Sequence, residues 1–356
     1  MKIISKKYII FGGDEKVNTM KKSTLSDISN YTGFSVTTIS RVLNGKSEQF
    51  RISRESQKKI MDAVRKLNYR PNYVAQSLRN CATRTIGLLV PCIDNPFFAN
   101  IASAVIGEAH KYSYPVMVID THESVKDEDE AINTLLSRNV DGIIMVPSSD
   151  DPARLVELAR EKPLVLIDRY FDQCDLSYVA TDNYKGALEA TELLIKAGHT
   201  DIMCIQGTPQ SITSQRRVQG YLDALEKAGL AGNAMICGNE FSTQNGYVET
   251  KLSLNMGKKI SAIFALSNTI LLGAIKAISE HGLKVPEDLS IVSFDDNIYL
   301  DFLNPPVTRI SQPIESISIV AVKMLMDRIK DNPVPAGGIL LQPSIVLRQS
   351  VAAPNR

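Results

Sequence analysis

The chain has 356 residues, of which 44% are hydrophobic and 22% charged, a composition that fits a soluble globular protein of two or three domains. Its formal net charge of +1 hides a division: residues 1–80 hold 16 Lys and Arg against 6 Asp and Glu, and the remainder holds 24 against 33. No apolar run reaches membrane-spanning length, and five scattered cysteines, never at Cys-x-x-Cys spacing, argue against a disulfide framework or a zinc site. They are read as buried thiols in a reducing compartment, and the protein as cytoplasmic with no cofactor and no metal.

Residues 1–19 are read as a flexible extension. Its lysines precede the short apolar stretch Tyr8-Ile9-Ile10-Phe11, which is too short for a signal peptide and is followed by no cleavage site. Residues 20–68 follow as a basic helical domain. Thr24 stands where an N-cap belongs, and Leu25, Ile28 and Ser29 share one face of a first helix. Gly33 lies at the corner, and Ser35 caps a second helix with Ile39 and Leu43 on its inner face and Val42 on its flank. Val36, Thr37, Ser40, Arg41 and Asn44 are left on the outer face or at the helix start. These are side-chain types that reach base edges and phosphates from a helix in a major groove. The layout is that of a helix-turn-helix, and the excess of basic residues supplies the matching electrostatics. An ordinary amphipathic helical hairpin has the same local pattern.

After a polar loop, Ser53 opens a third helix with apolar positions at Ile60, Val64 and Leu67. Residues 69–83 form a hinge or linker. Pro71 stops the preceding helix, and Asn72 can cap a segment over 73–79 too short to be stable alone in water. That segment therefore needs a partner, or is a plain linker.

From residue 84 to the end, short apolar runs alternate with helical segments. The runs are 86–90, 116–119, 142–146 and 164–167, then 202–205, 262–266 and 289–294, with strands also expected over 339–347. Helices are expected over 99–112, 128–139, 184–197, 214–228 and 269–281. This alternation predicts parallel sheets covered on both faces, and there are too many units for one sheet. Two βα lobes sharing a cleft satisfy the pattern, with ligand held at the carboxyl ends of the strands.

No phosphate loop, nucleophile elbow or metalloprotease motif is present, so an enzyme reading has little support. A binding set does fall at strand ends: Asn95, Phe97 and Phe98 after the first, Asp168 after the fourth, and Ser267 and Asp295 after later ones. Arg217 lies in Arg216-Arg217-Val218-Gln219-Gly220-Tyr221. Carboxylates and an arginine pair with neighbouring hydroxyls, while aromatics cover an apolar ring face, which suits a sugar or similar polyol. Taken singly, each residue more readily fits a loop cap or core position; their joint placement in one predicted cleft reverses that.

The stretch Ser40-Arg41-Val42-Leu43-Asn44-Gly45, the segment from Tyr69 to Arg79, Asn95-Pro96-Phe97-Phe98 and Ser293-Phe294-Asp295-Asp296 together resemble the lactose/galactose-repressor (LacI/GalR) family of transcription factors, over about residues 24–347. The resemblance implies a small all-α helix-turn-helix headpiece plus an α/β bilobed, periplasmic-binding-protein-like effector domain made of two parallel βα lobes. It further implies that Val36, Thr37 and Arg41 read base edges and that Ser35, Ser40 and Asn44 contact phosphates. Asn72, Ala75 and Leu78 fall on the hinge helix, with Leu78 as a minor-groove wedge. Asn95, Phe97, Phe98, Asp168, Arg217, Ser267 and Asp295 fall on effector-binding positions. Two features depart: Ser267-Asn268 differs from the family's usual pair, and the loop over 46–52 is longer than in the lactose repressor, which would offset the third helix. No leucine heptad follows residue 347, which predicts a dimer.

The expected function is a sequence-specific regulator, a homodimer on near-palindromic operator DNA, repressing carbohydrate-utilisation genes under control of a small-molecule effector, a sugar by preference. The rival is a sugar-binding protein of periplasmic type without a DNA-binding role. The basic headpiece disfavours it.

Overall fold

Three short helices close the first of two units, Met1–Asn80 and Cys81–Arg356, into which the chain divides. The computed structural model describes residues 23–69, 82–257, 259–333 and 337–355. Helix α1 (Leu25–Thr32) starts in a reciprocal cap: Asp27 N–H donates to Thr24 Oγ1, and Thr24 N–H donates to an Asp27 carboxylate oxygen at 2.7 Å. It ends at Gly33, whose φ of 76° is the left-handed conformation that glycine adopts without a steric cost. Helix α2 (Val36–Leu43) is capped by Ser35, and α3 (Arg54–Lys66) by Ser53.

Ile28, Ile39 and Ile60 are fully buried where the three helices meet, with Val42 and Ala63 beside them. Val42 therefore takes the inner place expected of Leu43, which is only half-buried. Ile39 and Val42 join Ile28 of α1 and Ile60 of α3 in one buried cluster, with Leu43 packed against it at the edge.

The second unit carries two six-stranded sheets. The first has the order β11-β5-β4-β3-β1-β2 and is parallel throughout. It is made from β1 (Ile86–Val90), β2 (Val116–Asp120), β3 (Gly142–Met145), β4 (Leu164–Ile167), β5 (Tyr178–Thr181) and β11 (Gly338–Leu341). Side chains alternate across it. Ile86, Leu88 and Val90 pack against α4 (Pro96–Lys111) and α11 (Ile314–Ile329), while Leu89, Ile143 and Met145 pack against α5 (Val125–Ser137) and α6 (Ala153–Glu161).

The second sheet has the order β12-β10-β9-β8-β6-β7, with only β12 antiparallel. It comprises β6 (Ile202–Ile205), β7 (Met235–Cys237), β8 (Ala262–Ala265), β9 (Ser290–Phe294), β10 (Thr308–Ser311) and β12 (Ser344–Val346). Helices α7 (Asn183–Lys196) and α8 (Ile212–Lys227) cover one face; α10 (Asn268–Glu280), with α9 (Thr243–Asn255) against it, covers the other.

The chain crosses between lobes three times, after β5, β10 and β11. Hydrogen bonds tie these crossings together: Thr181 Oγ1 donates to Gln312 Oε1 at 2.6 Å, and Asp182 N–H donates to Leu341 O at 2.8 Å. The strands expected over 339–347 thus divide, β11 joining one lobe and β12 the other. Among the described residues Cys204 is fully buried, whereas Cys92, Cys174 and Cys237 are only partly so, which makes fewer buried thiols than expected.

Candidate functional site

The outward side of α2 forms one wall of a groove of about 320 Å³, lined by Val36, Thr37, Ser40, Arg41 and Asn44 together with Lys46 and Phe50 from the following loop. Val36 is 42% exposed on this wall. Ser35 is not among the lining residues and caps α2, and Asn44 of the groove also serves the helix. Ser35 Oγ accepts from Thr38 N–H at 3.1 Å, and Asn44 Nδ2 donates to Ser40 O at 2.7 Å. Asn72, Ala75 and Leu78 lie outside the described residues. Lys46 and Phe50 were not singled out from the sequence; an aromatic side chain inside an otherwise polar, basic loop was the available signal.

The second unit has a cleft of about 980 Å³ between its lobes, and an adjoining pocket of about 20 Å³ shares Asn95, Arg169 and Phe241 with it. All seven effector-site residues expected from the sequence line the smaller pocket: Asn95, Phe97, Phe98 and Asp168 from one lobe, Arg217, Ser267 and Asp295 from the other. Their surroundings differ in kind.

Asp168 and Asp295 occupy matching positions, directly after β4 and β9, both with left-handed φ (64° and 74°). Such a conformation is uncommon outside glycine and costs on the order of 1 kcal/mol, so its occurrence at both strand ends marks a constrained site. Both carboxylates are almost fully buried. Burial pushes the Asp168 carboxyl up to about 6, against the opposing pull of Arg217 and Arg169, and its Oδ1 has no hydrogen-bond partner. Burial also raises Asp295, opposed by Arg217, by Gln312 Nε2 donating to its Oδ1 at 2.6 Å, and by the Asn268 backbone N–H.

Arg217 is anchored on three sides. Its Nε donates to Asn183 Oδ1 at 2.8 Å, its Nη1 donates to Leu266 O at 2.6 Å, and the guanidinium lies 3.8 Å from the centre of the Phe294 ring. Burial lowers its pKa, an effect the neighbouring carboxylates oppose. Phe97 and Phe98 meet edge to face at 5.1 Å and belong to the core of their lobe while also lining the pocket. Asn95 and Ser267 carry helix caps: Asn95 Oδ1 accepts from Phe97 N–H, and Ser267 Oγ accepts from Ile270 N–H.

Sequence reasoning passed over Thr213, Phe241 and Gln312. Thr213 lies on α8, Phe241 in the loop between β7 and α9, and Gln312 on a crossover, where nothing in the local pattern points inward. Arg169 holds Glu123 through two bonds of 2.7 Å and so orders the cleft wall. Across the cleft, Arg216 Nη2 meets Asp172 Oδ2 at 2.5 Å, joining the two lobes. Among the described residues there is no metal-binding cluster, and no helix is long and apolar enough to cross a membrane.

Residues 24–72 match the family model "Bacterial regulatory proteins, lacI family", and residues 191–351 match that of a periplasmic binding protein-like domain. The chain is 34% identical over 330 residues to the ribose operon repressor of Haemophilus influenzae, across 92% of this chain and 98% of that protein. The lac repressor dimer bound to operator and the anti-inducer ONPF has a similar structure, with a TM-score of 0.85 at 29% identity over 94% of this chain and 100% of that one. A LacI family transcriptional regulator from Enterococcus faecium with bound ribose gives a TM-score of 0.70 at 25% identity, over 76% of this chain and 100% of that one.

Proposed function

The chain belongs to the lacI family of bacterial regulatory proteins, and from that premise we propose that it is a cytoplasmic repressor of carbohydrate-utilisation genes governed by a pentose such as ribose. The headpiece rules out the rival of a binding protein with no DNA-binding role. A homodimer sets two α2 helices in successive major grooves of a near-palindromic operator. Val36, Thr37 and Arg41 read base edges, Ser35, Ser40 and Asn44 contact phosphates, and Asn72, Ala75 and Leu78 act in the hinge. The working divisions are an extension over 1–19, a DNA-binding domain over 20–68, a hinge over 69–83 and an effector domain over 84–356.

The observation that carries the effector assignment is the buried set Asp168, Arg217 and Asp295 beside Phe97 and Phe98. Two carboxylates and a guanidinium offer charge-assisted hydrogen bonds to vicinal hydroxyls, and the aromatic pair suits the apolar face of a sugar ring. The names of the ribose operon repressor and of the ribose-bound regulator favour a pentose. The protein works by binding and not as an enzyme, since this set supplies recognition without a nucleophile and its activating base. A pocket of about 20 Å³ has room for roughly one water. A pentose entering from the adjoining cleft of about 980 Å³ has to widen this pocket, and lobe movement that does so couples occupancy to lobe orientation.

Calorimetric titration of the full chain with D-ribose, D-galactose and D-glucose tests this reading. Saturable binding of ribose, weakened about 10- to 100-fold in Asp295→Asn, is expected. Heat-silent titrations with all three sugars would contradict it.

A further inference from the structure

The loop between α2 and α3 has an internal scaffold of its own. Lys46 N–H donates to Arg41 O at 2.9 Å, Phe50 N–H to Lys46 O at 3.2 Å, Arg51 N–H to Glu48 O at 3.1 Å, and Ile52 N–H to Ser47 O at 2.9 Å. Ser47 is buried beneath it, and Arg51 takes a left-handed φ of 51°. The outcome is that Phe50 stands clear of the headpiece core, 41% exposed, with the Arg41 guanidinium 3.7 Å from its ring centre.

An exposed phenylalanine that packs on an arginine, and not on the apolar core, does little for folding. For the arginine the contact matters more. A guanidinium lying over a ring is attracted by the ring's face and loses swing about its long side chain. Stacking occupies the face of the guanidinium and leaves its in-plane N–H groups free, whereas an ion pair would consume them. Among the described residues Arg41 forms no ion pair. Its free donors border the same groove as Thr37 and Ser40. A planar fork with two parallel donors matches the O6 and N7 acceptors on the major-groove edge of guanine.

We propose that Phe50 is a specificity-determining positioning residue, which holds Arg41 in the orientation that reads one guanine of the operator. The inference rests on the DNA-binding reading above. Phe50 acts through Arg41 and makes no base contact of its own.

The test begins with the full-length parent protein, which selects a duplex from a randomised library. That duplex, versions substituted at each base pair and a scrambled control are the probes for parent, Phe50→Leu, Phe50→Tyr, Arg41→Ala and the Arg41→Ala/Phe50→Leu double variant. Phe50→Leu is expected to lose about three- to fivefold in discrimination, the scale of an exposed cation–π contact. The loss falls at the same base pair that Arg41→Ala no longer reads. Phe50→Tyr, which keeps the ring, retains the parent's discrimination. Affinity for the scrambled duplex is unchanged in both, and Phe50→Leu adds nothing once Arg41 is gone. If the leucine variant discriminates as well as the parent, or its loss adds to that of Arg41→Ala, the proposal is overturned; additivity would mean that the ring touches DNA itself. A Phe50→Leu protein that melts early would make the ring a packing element and equally overturn it. A parent that enriches no duplex overturns the regulator reading and this inference with it, whereas a parent that enriches one beside an undiminished Phe50→Leu overturns the inference alone.

Discussion

Arg217 Nη2 stands 3.9 Å from Asp295 Oδ1, within ion-pair range but too far for a hydrogen bond, although both side chains are about 95% shielded from solvent. The shorter bonds of each residue go elsewhere, Arg217 to Asn183 and Leu266, Asp295 to Gln312. The pair is thus held apart by its own anchors. A ligand hydroxyl placed between them would gain two charged partners without dismantling either anchor.

This separation makes Asp295→Asn an informative variant. The amide oxygen still accepts from Gln312, while the charge facing the pocket is removed. Effector affinity should fall by about 10- to 100-fold, the worth of a hydrogen bond to a charged group. The melting temperature should fall, because removing one partner of a buried pair leaves the Arg217 guanidinium short of counter-charge. Calorimetry beside thermal melting reads both; an early-melting variant with normal effector affinity would assign Asp295 a purely structural role.

The Asp168 carboxyl yields a stability prediction with a definite sign. Its folded-state pKa of about 6 lies above the ordinary 3.8, so between these values the folded protein binds more protons than the unfolded chain. Stability from this group is therefore present below about pH 4 and is lost as pH rises through 6, by roughly 2–3 kcal/mol. Asp168→Asn has no such term. Denaturant titrations from pH 4 to 8 should show the variant gaining on the parent up to about pH 6.5 and then running level with it. A constant difference across the range would contradict this account.

The Arg216–Asp172 contact joins the lobes, but both side chains are more than 40% exposed. Exposed pairs contribute about 0.2–1 kcal/mol, so Arg216→Ala should change effector affinity by less than about fivefold, and the difference should shrink at high salt. A larger, salt-independent effect would show that the contact governs closure more strongly than its exposure allows.

In the headpiece, Gly33→Ala should cost about 1 kcal/mol, through backbone strain alone. A Cβ at that position meets no atom within 4 Å. Hydrogen exchange of the α1 and α2 amides measures it, and a cost of several kcal/mol would point to a clash that the open space there does not contain.

Much of this architecture was legible in the sequence because burial and helix caps leave local marks. Strands covered on both faces, such as β1 and β4, are uninterrupted apolar runs, and Thr24, Gly33 and Ser35 signal the helix boundaries of the headpiece by residue type. The elements that escaped carry weaker marks. Helix α9 has almost no apolar stripe because it approaches α10 through bare backbone: a Cβ on Gly246 would lie 2.0 Å from Ile270 O, and one on Gly273 would lie 1.9 Å from Thr243 O. Strand β5, Tyr178-Val179-Ala180-Thr181, is short and half polar, since it leads into a crossover. The pocket residues announced themselves as polar groups after buried strands. Gln312 gave no such signal, because its link to Asp295 depends on a chain crossing that only the folded topology supplies.

The most direct test of the account measures operator binding and effector together. The full-length parent and Asp295→Asn are titrated against the library-selected duplex by fluorescence anisotropy, with and without D-ribose at a concentration that just saturates the parent. The account predicts that ribose changes the parent's operator affinity by about 5- to 150-fold, the usual span of allosteric coupling, and leaves that of Asp295→Asn nearly unchanged. A parent that binds the duplex identically with and without ribose, or an Asp295→Asn that responds as the parent does, would contradict it.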